Sequence, residues 1–142
     1  MSADAQPTPQ SRNAAVIEEF RANKGKVGGF FEGTDLLLLT TVGARSGRPH
    51  TTPAVYVRDG DTVAVAASYG GAPKHPAWYH NLVANPEVTV EIGTERYQAT
   101  AVPARGAERD RLFALMVAGT PRFKDYEEKT TRVIPMVVLR AH

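Results

Sequence analysis

Two short segments hold the residues whose types and spacing could do chemistry. The first is Thr-Val-Gly-Ala-Arg-Ser-Gly-Arg-Pro-His at positions 41–50. Arg45-Ser46-Gly47-Arg48-Pro49 reads either as a basic hairpin turn or as an anion cradle. In the second reading Gly43 and Gly47 let backbone amides approach a phosphate while the guanidinium groups clamp its oxygens, each charge-assisted bond contributing on the order of 1.5–3 kcal/mol. The second segment, Ser68-Tyr69-Gly70-Gly71-Ala72-Pro73-Lys74-His75-Pro76, follows an apolar run. Its double glycine is either simple turn chemistry or a place where a ligand meets the backbone. Lys74 and His75 lead into a short helix, whose free amides and dipole favour an anion. Trp78 is either core or one wall for a flat aromatic ligand. Asn81, three residues on, faces roughly the same side and, if buried, needs a partner such as a ring carbonyl or a backbone group. Neighbouring loops on a rigid sheet are where chemistry usually sits. With Arg21, Lys24 and Lys26 nearer the front of the chain, the local basic clusters suggest one anionic ligand of modest size.

Several other chemistries fall away. The first loop lacks the spacing of a Walker sequence and of a dinucleotide fingerprint. There is no Gly-x-Ser-x-Gly elbow, and Ser46 and Ser68 have no evident His and Asp company, so hydrolysis is not expected. His75 and His80 are five apart, about 140° around a helix, so the helical zinc arrangement is missing and no metal is expected. Cysteine is absent, which removes thiolate sites and disulfides and points to a reducing interior. Asp125, Glu127 and Glu128 read as a solvated face and not as a carboxylate pair. Seventeen basic against fifteen acidic side chains give a formal charge of +2, too even for affinity based on a nucleic-acid backbone.

The elements that must position these loops read as follows. An amphipathic helix covers Asn13 to Asn23, with Val16, Ile17 and Phe20 on one face and Gly25 as its stop. A strand at Leu36 to Thr41 precedes the first loop. Strands at Thr51 to Arg58 and Thr62 to Ala67 form a hairpin at Asp59-Gly60. Pro76 opens a helix that runs through Ala84 and ends at Asn85-Pro86. Glu87 to Ile92 and Arg96 to Pro103 pair around Gly93-Thr94. Ala107 to Val117 is a helix with Leu112, Leu115 and Met116 inward and Glu108, Arg109 and Arg111 outward, and Val133 to Leu139 is the last strand. Strands and helices do not alternate regularly. The expected fold is therefore α+β, a small, mainly antiparallel barrel with three or so peripheral helices.

At 142 residues and 42% hydrophobic content, residues 13–142 are expected to form a single domain behind a mobile polar tail, residues 1–12, which does not read as a signal peptide. No apolar run approaches the roughly 18 to 20 residues of a membrane span.

The combined motifs resemble the deazaflavin-dependent nitroreductase family of actinobacteria. They are Leu-Leu-Thr-Thr-Val-Gly-Ala-Arg-Ser-Gly-Arg-Pro-His-Thr-Thr-Pro, Arg-Asp-Gly, Val-Ala-Ala-Ser-Tyr-Gly-Gly-Ala-Pro-Lys-His-Pro-Ala-Trp-Tyr-His-Asn-Leu, Ala-Asn-Pro-Glu-Val, Asp-Tyr and Arg-Val-Ile-Pro-Met-Val-Val, together spanning about Phe30 to Leu139. The resemblance implies a split β-barrel related to flavin-mononucleotide-binding oxidases, with reduced coenzyme F420 in its groove. It places the cofactor loops on Arg45, Ser46, Gly47, Arg48, Pro49, His50 and Pro53 and on Ala67, Ser68, Tyr69, Gly70 and Gly71. Lys74, Trp78 and Asn81 complete that pocket. Ser68 would lie near the ring and the substrate, and Tyr126 would wall the substrate side. The chain departs from the family's nitroreductase at Val55, Thr120 and Phe123, where tyrosines are expected, and at Tyr69, where a lysine is. Cofactor use therefore carries over more firmly than nitroimidazole reduction.

The implied activity is hydride transfer from the reduced deazaflavin to an activated alkene, quinone or unsaturated lactone, with Ser68, Tyr126 or water completing the proton side. The alternative of a different class is an F420 carrier without catalysis. Family members that reduce menaquinone rest on membranes by an N-terminal segment. Here the stripe is narrow and Glu18 and Glu19 interrupt the basic character of an interfacial helix, so a soluble cytoplasmic protein is expected over one resting on a membrane by this helix. The sequence does not give the oligomeric state, and a monomer is favoured over an oligomer.

Overall fold

Four consecutive leucines, Leu36 to Leu39, are all buried, which a strand allows only when both of its faces are covered. The computed structural model describes residues 9–142. Its elements are α1 (Pro9–Ala22), β1 (Leu36–Val42), β2 (Pro49–Asp59), β3 (Thr62–Ala66), α2 (Ala77–Ala84), β4 (Glu87–Ile92), β5 (Glu95–Pro103), α3 (Gly106–Gly119), α4 (Arg122–Lys129) and β6 (Met136–Ala141). The strands close an antiparallel barrel in the order β1-β2-β3-β6-β5-β4, with β4 returning to β1.

The period of two along β1 divides the core. Leu37 and Leu39 join Val63, Val65, Val90 and Val137 in the barrel interior, where α2 adds Leu82. Leu36 and Leu38 face the other way, into a layer with Phe20 of α1, Leu112, Phe113 and Met116 of α3, and Phe123 of α4. Fully burying each leucine contributes about 1.5–3 kcal/mol, so this strand anchors both layers. The apolar stripe of α1 is likewise taken up by the protein: Phe20 is buried, and Val16 and Ile17 pack on the same layer. No helix among the described residues is long and apolar enough to cross a membrane.

One asymmetry opens the barrel's side. β2 pairs with β1 from Pro49 to Val55, but β3 reaches only Tyr56 to Asp59. The first half of β2 thus has an edge without a third strand, and Pro53, which has no N–H to give a ladder, sits within that half. The two loops singled out by sequence leave the sheet beside this edge.

The expected strands and hairpins are present, with four differences. A fourth helix, α4, joins the three expected ones. Helix α1 begins at Pro9, so the expected tail, residues 1–12, falls largely on residues 1–8, outside the described residues. In α3 it is Phe113 that is buried while Leu115 is exposed, and Arg109 turns inward to donate two bonds to the Ile134 carbonyl, at 2.8 and 3.0 Å, over the Phe113 ring. The last strand starts at Met136 and not at Val133, because Pro135 cannot donate to a ladder; Val133 is left 70% exposed.

Candidate active site

The edge of β2, the two loops, α2 and α4 enclose a cleft of about 1190 Å³. Its floor is Thr51 to Val55, half-buried or buried.

The first loop turns on itself. The Gly47 N–H donates to the Gly43 carbonyl at 3.0 Å, the Gly43 N–H to Arg48 at 2.8 Å, and the Arg48 N–H to the Ser46 hydroxyl at 3.2 Å. The amides of Gly43 and Gly47 are therefore taken up within the loop. Among the described residues no acceptor takes the N–H of Arg45 or Ser46, which sit inside this single helical turn as the first amides of a helix do. Both residues line the cleft. Packing fixes Gly43: a β-carbon there would stand 2.4 Å from the Ser46 oxygen and 3.0 Å from His50 Nε2. His50 does come to 3.4 Å from the Ser46 hydroxyl, company that sequence spacing did not suggest. That hydroxyl also accepts from Arg48, and among the described residues no carboxylate is bonded to His50, so the pair supports the loop and not a nucleophile.

Asn81 ties this loop to the barrel. Its Oδ1 accepts the Ala44 N–H at 3.0 Å, and its Nδ2 donates to the buried Thr41 hydroxyl at 3.3 Å. The partner it needed is thus the loop itself. Asn81→Leu leaves both groups without their partner and is expected to cost about 1–3 kcal/mol of stability; an unchanged urea midpoint would show that the loop has another anchor.

The second loop leaves β3 through Ala67, whose N–H donates to the Pro135 carbonyl at 2.9 Å. Ser68 is buried, lines the cleft, and does not commit its hydroxyl to capping the turn that follows. Tyr69 and Gly70 both take positive φ, 49° and 63°. A β-carbon on Gly70 would meet nothing within 4 Å, so the cleft is open directly over this backbone. Gly71 is the opposite case: a β-carbon there would be 2.8 Å from the Tyr126 carbonyl oxygen, so the loop is pressed against α4. Tyr126 lines the cleft, with its ring edge-on to Phe123 at 5.3 Å.

Of the expected site residues, the cleft brings together Arg45, Ser46, His50, Pro53, Ser68, Tyr69, Gly70, Trp78, Asn81 and Tyr126. Gly47, Arg48, Pro49 and Lys74 are exposed outside its lining, and Ala67 and Gly71 stand buried behind it. Among the positions departing from the family pattern, Val55 and Phe123 line the cleft and Thr120 does not. Sequence reasoning missed the contribution of α1 through Asn13, Ala14 and Ile17, the wall from Phe31, and Arg122. It also missed Arg132, which binds the second loop from behind. The only local signal for α4 was Phe123 and Tyr126 at a spacing of three. Arg132 opens the Arg-Val-Ile-Pro-Met-Val-Val motif, but nothing in that motif pointed to the loop it binds. The described residues contain no group of three metal-ligating side chains, although the His75 and His80 rings do meet at 5.8 Å because His75 precedes the helix.

The family model described as F420H(2)-dependent quinone reductase matches residues 12–141. The chain belongs to this family. Family membership makes the protein an oxidoreductase and reduced coenzyme F420 its cofactor. An F420H(2)-dependent quinone reductase of Mycobacterium tuberculosis is 40% identical over 124 residues, covering 84% of this chain and 83% of the relative. A solved F420-H2 dependent reductase superposes with a TM-score of 0.70 at 38% identity, over 75% of this chain and 94% of that one. A structure described as a domain-swapped dimer gives 0.71 at 33% identity, over 94% and 100%.

The cleft fits the cofactor on its own chemistry. Its volume, about 1190 Å³, is ample for a flat tricyclic ring with a tail. Trp78, Phe31 and Tyr126 supply aromatic walls, Gly70 leaves backbone open to a ring, and Arg45 stands at the mouth for an anion. A second cleft, about 1040 Å³, lies between the end of α1 and Gly93 and contains none of the expected site residues.

Proposed function

We propose that this protein reduces a quinone-type acceptor within the cleft between the two loops and α4. The carrying observation is that Ser68, Gly70, Trp78 and Tyr126, drawn from three separate elements, line one cleft beside the open edge of β2. Reduced coenzyme F420, when bound, supplies a hydride, and the absence of the flavin N5 favours two-electron over one-electron chemistry.

The chain's own residues do the rest. Arg45 and the free amides of the first loop bind the anionic tail, and the glycine surface at Gly70 lets a ring lie flat against backbone. Ile17, Phe31, Phe123 and Tyr126 form an apolar chamber that holds the acceptor and excludes water, bringing the reacting atoms within roughly 3–3.5 Å. Ser68 or Tyr126 donates a hydrogen bond to the oxygen on which negative charge develops. Val55 and Phe123, in place of tyrosines, make this chamber less polar and suit a carbocyclic acceptor better than a nitroimidazole. The proposed compartment is the cytoplasm and the proposed state a monomer, which light scattering measures directly.

A panel of acceptors tests the reading. Purified protein with reduced F420 is mixed with a quinone, a cyclic enone, a coumarin-type lactone and a nitroimidazole, and recovery of the cofactor's visible absorbance is followed. The quinone is expected to give the fastest protein-dependent recovery; cofactor bound tightly with no acceptor-dependent oxidation would indicate a carrier. Arg45→Ala is expected to weaken F420 binding about tenfold or more and to flatten its salt dependence. Arg48→Ala, outside the lining, has the smaller effect, and equal losses from the two would relocate the anion site.

A further inference from the structure

The second loop owes its shape to a side chain far along the sequence. Arg132, half-buried in the segment between α4 and β6, donates from Nη1 to the Ala67 carbonyl at 3.1 Å, from Nη2 to Ser68 at 2.6 Å and from Nε to Ala72 at 2.9 Å. Three carbonyls of one turn thus converge on one planar fork, which a lysine could not span. Nη1 also lies 3.0 Å from His75 Nδ1. Arginine has donors and no acceptor, so Nδ1 must offer its lone pair, which fixes His75 as neutral with its proton on Nε2.

The surroundings of His75 favour that state. Burial, then the Arg132 charge, then His80 hold its pKa below the ordinary histidine value. It faces Arg132 from the segment before β6, and Tyr79 and His80 from α2 at ring separations of 4.7 and 5.8 Å; Lys74 precedes it in the chain. No carboxylate among the described residues is ion-paired with it.

We propose that Arg132 is a positioning residue for the reaction, holding Ser68 and Gly70 in the cleft, and that neutral His75 is the acceptor that keeps Arg132 in place. Protonating His75 puts a second cation against the guanidinium and removes the lone pair, so the fork slackens and the loop loosens. Because the histidine pKa is lowered on folding, the stabilisation is complete above the ordinary value of about 6.5 and is lost as pH falls through the lowered value. This inference rests on the reading that the cleft binds F420, but one arm of its test does not.

That arm is amide hydrogen exchange in the cofactor-free protein. The Gly71 and Ala72 amides, bonded to Ser68 and Tyr69 at 3.0 and 3.1 Å, report directly on the turn. Corrected for intrinsic rates, their exchange is expected to accelerate about tenfold or more in Arg132→Gln, and to accelerate in the wild type as pH falls below about 6.5. Arg132→Lys falls between the two. His75→Asn, whose amide oxygen accepts but does not titrate, is expected to flatten the pH dependence. The second arm is F420 affinity by fluorescence: about tenfold weaker in Arg132→Gln, with an acid loss that His75→Asn removes. Exchange at Gly71 and Ala72 that ignores Arg132→Gln, or an acid dependence that survives in His75→Asn, overturns the proposal. Exchange that responds as stated without F420 binding in the wild type overturns the cofactor reading and leaves the loop device standing. Should Arg132→Gln fail to fold, the wild type and His75→Asn profiles decide alone.

Discussion

Removing the hydroxyls of Ser68 and Tyr126 together, as Ser68→Ala with Tyr126→Phe, lowers kcat about 10²-fold while F420 affinity stays within about threefold. The reason lies in where these groups sit. Ser68 is buried at the exit of β3, its backbone carbonyl held by Arg132 and its hydroxyl uncommitted to the following turn. Tyr126 reaches the same cleft from α4, where Phe123 fixes its ring. A donor already oriented in a water-poor chamber stabilises charge that appears only as the acceptor is reduced, so the loss falls on turnover and not on cofactor binding. The single variants show which donor dominates. A double variant that retains turnover within threefold removes both residues from this role and leaves water as the proton source.

Gly71→Ala is the second large effect, and it acts through the backbone. The residue has φ of +83°, and an alanine methyl would stand 2.8 Å from the Tyr126 carbonyl oxygen and 3.1 Å from its α-carbon. No rotamer relieves a clash with main chain, so loop and α4 must part. The expected cost is about 1–3 kcal/mol, read as a lowered urea midpoint, with a rise in KM for the acceptor as the wall carrying Tyr126 recedes. Gly70→Ala is the control. Its φ is also positive, but the space beside it is empty, so it keeps most of the stability and instead weakens F420 binding by occupying the open surface. Equal midpoints for Gly71→Ala and wild type would mean that this contact does not set the cleft.

The parts of the fold legible in sequence are those encoded locally. Leu36 to Leu39 read as a buried strand, Asp59-Gly60 and Gly93-Thr94 as hairpin turns, and all three hold in the structure. Helix α4 was not legible, because its eight residues carry six charges and only two apolar side chains. Leu115 and Val133 were misplaced since helical period and β propensity say nothing of which neighbour arrives: Phe113 takes the inward position, and Pro135 delays β6. The same division runs through the site. The two loops are visible as glycine and basic clusters, whereas the consumption of the Gly43 and Gly47 amides by the loop, and the reach of Arg132 across more than sixty residues to Ala67 and Ser68, exist only once the chain is folded. Function itself came from the combined motifs, no single one of which would have distinguished a cofactor cradle from a turn.

The most direct measurement is a single turnover. Protein in excess over reduced F420 is rapidly mixed with a quinone, and the cofactor's absorbance is followed beside a protein-free control. The account predicts recovery in one protein-dependent phase, slowed about 10²-fold in the Ser68→Ala, Tyr126→Phe variant. Recovery at the same rate with and without protein would contradict it, leaving a cleft that holds the cofactor and does not use it.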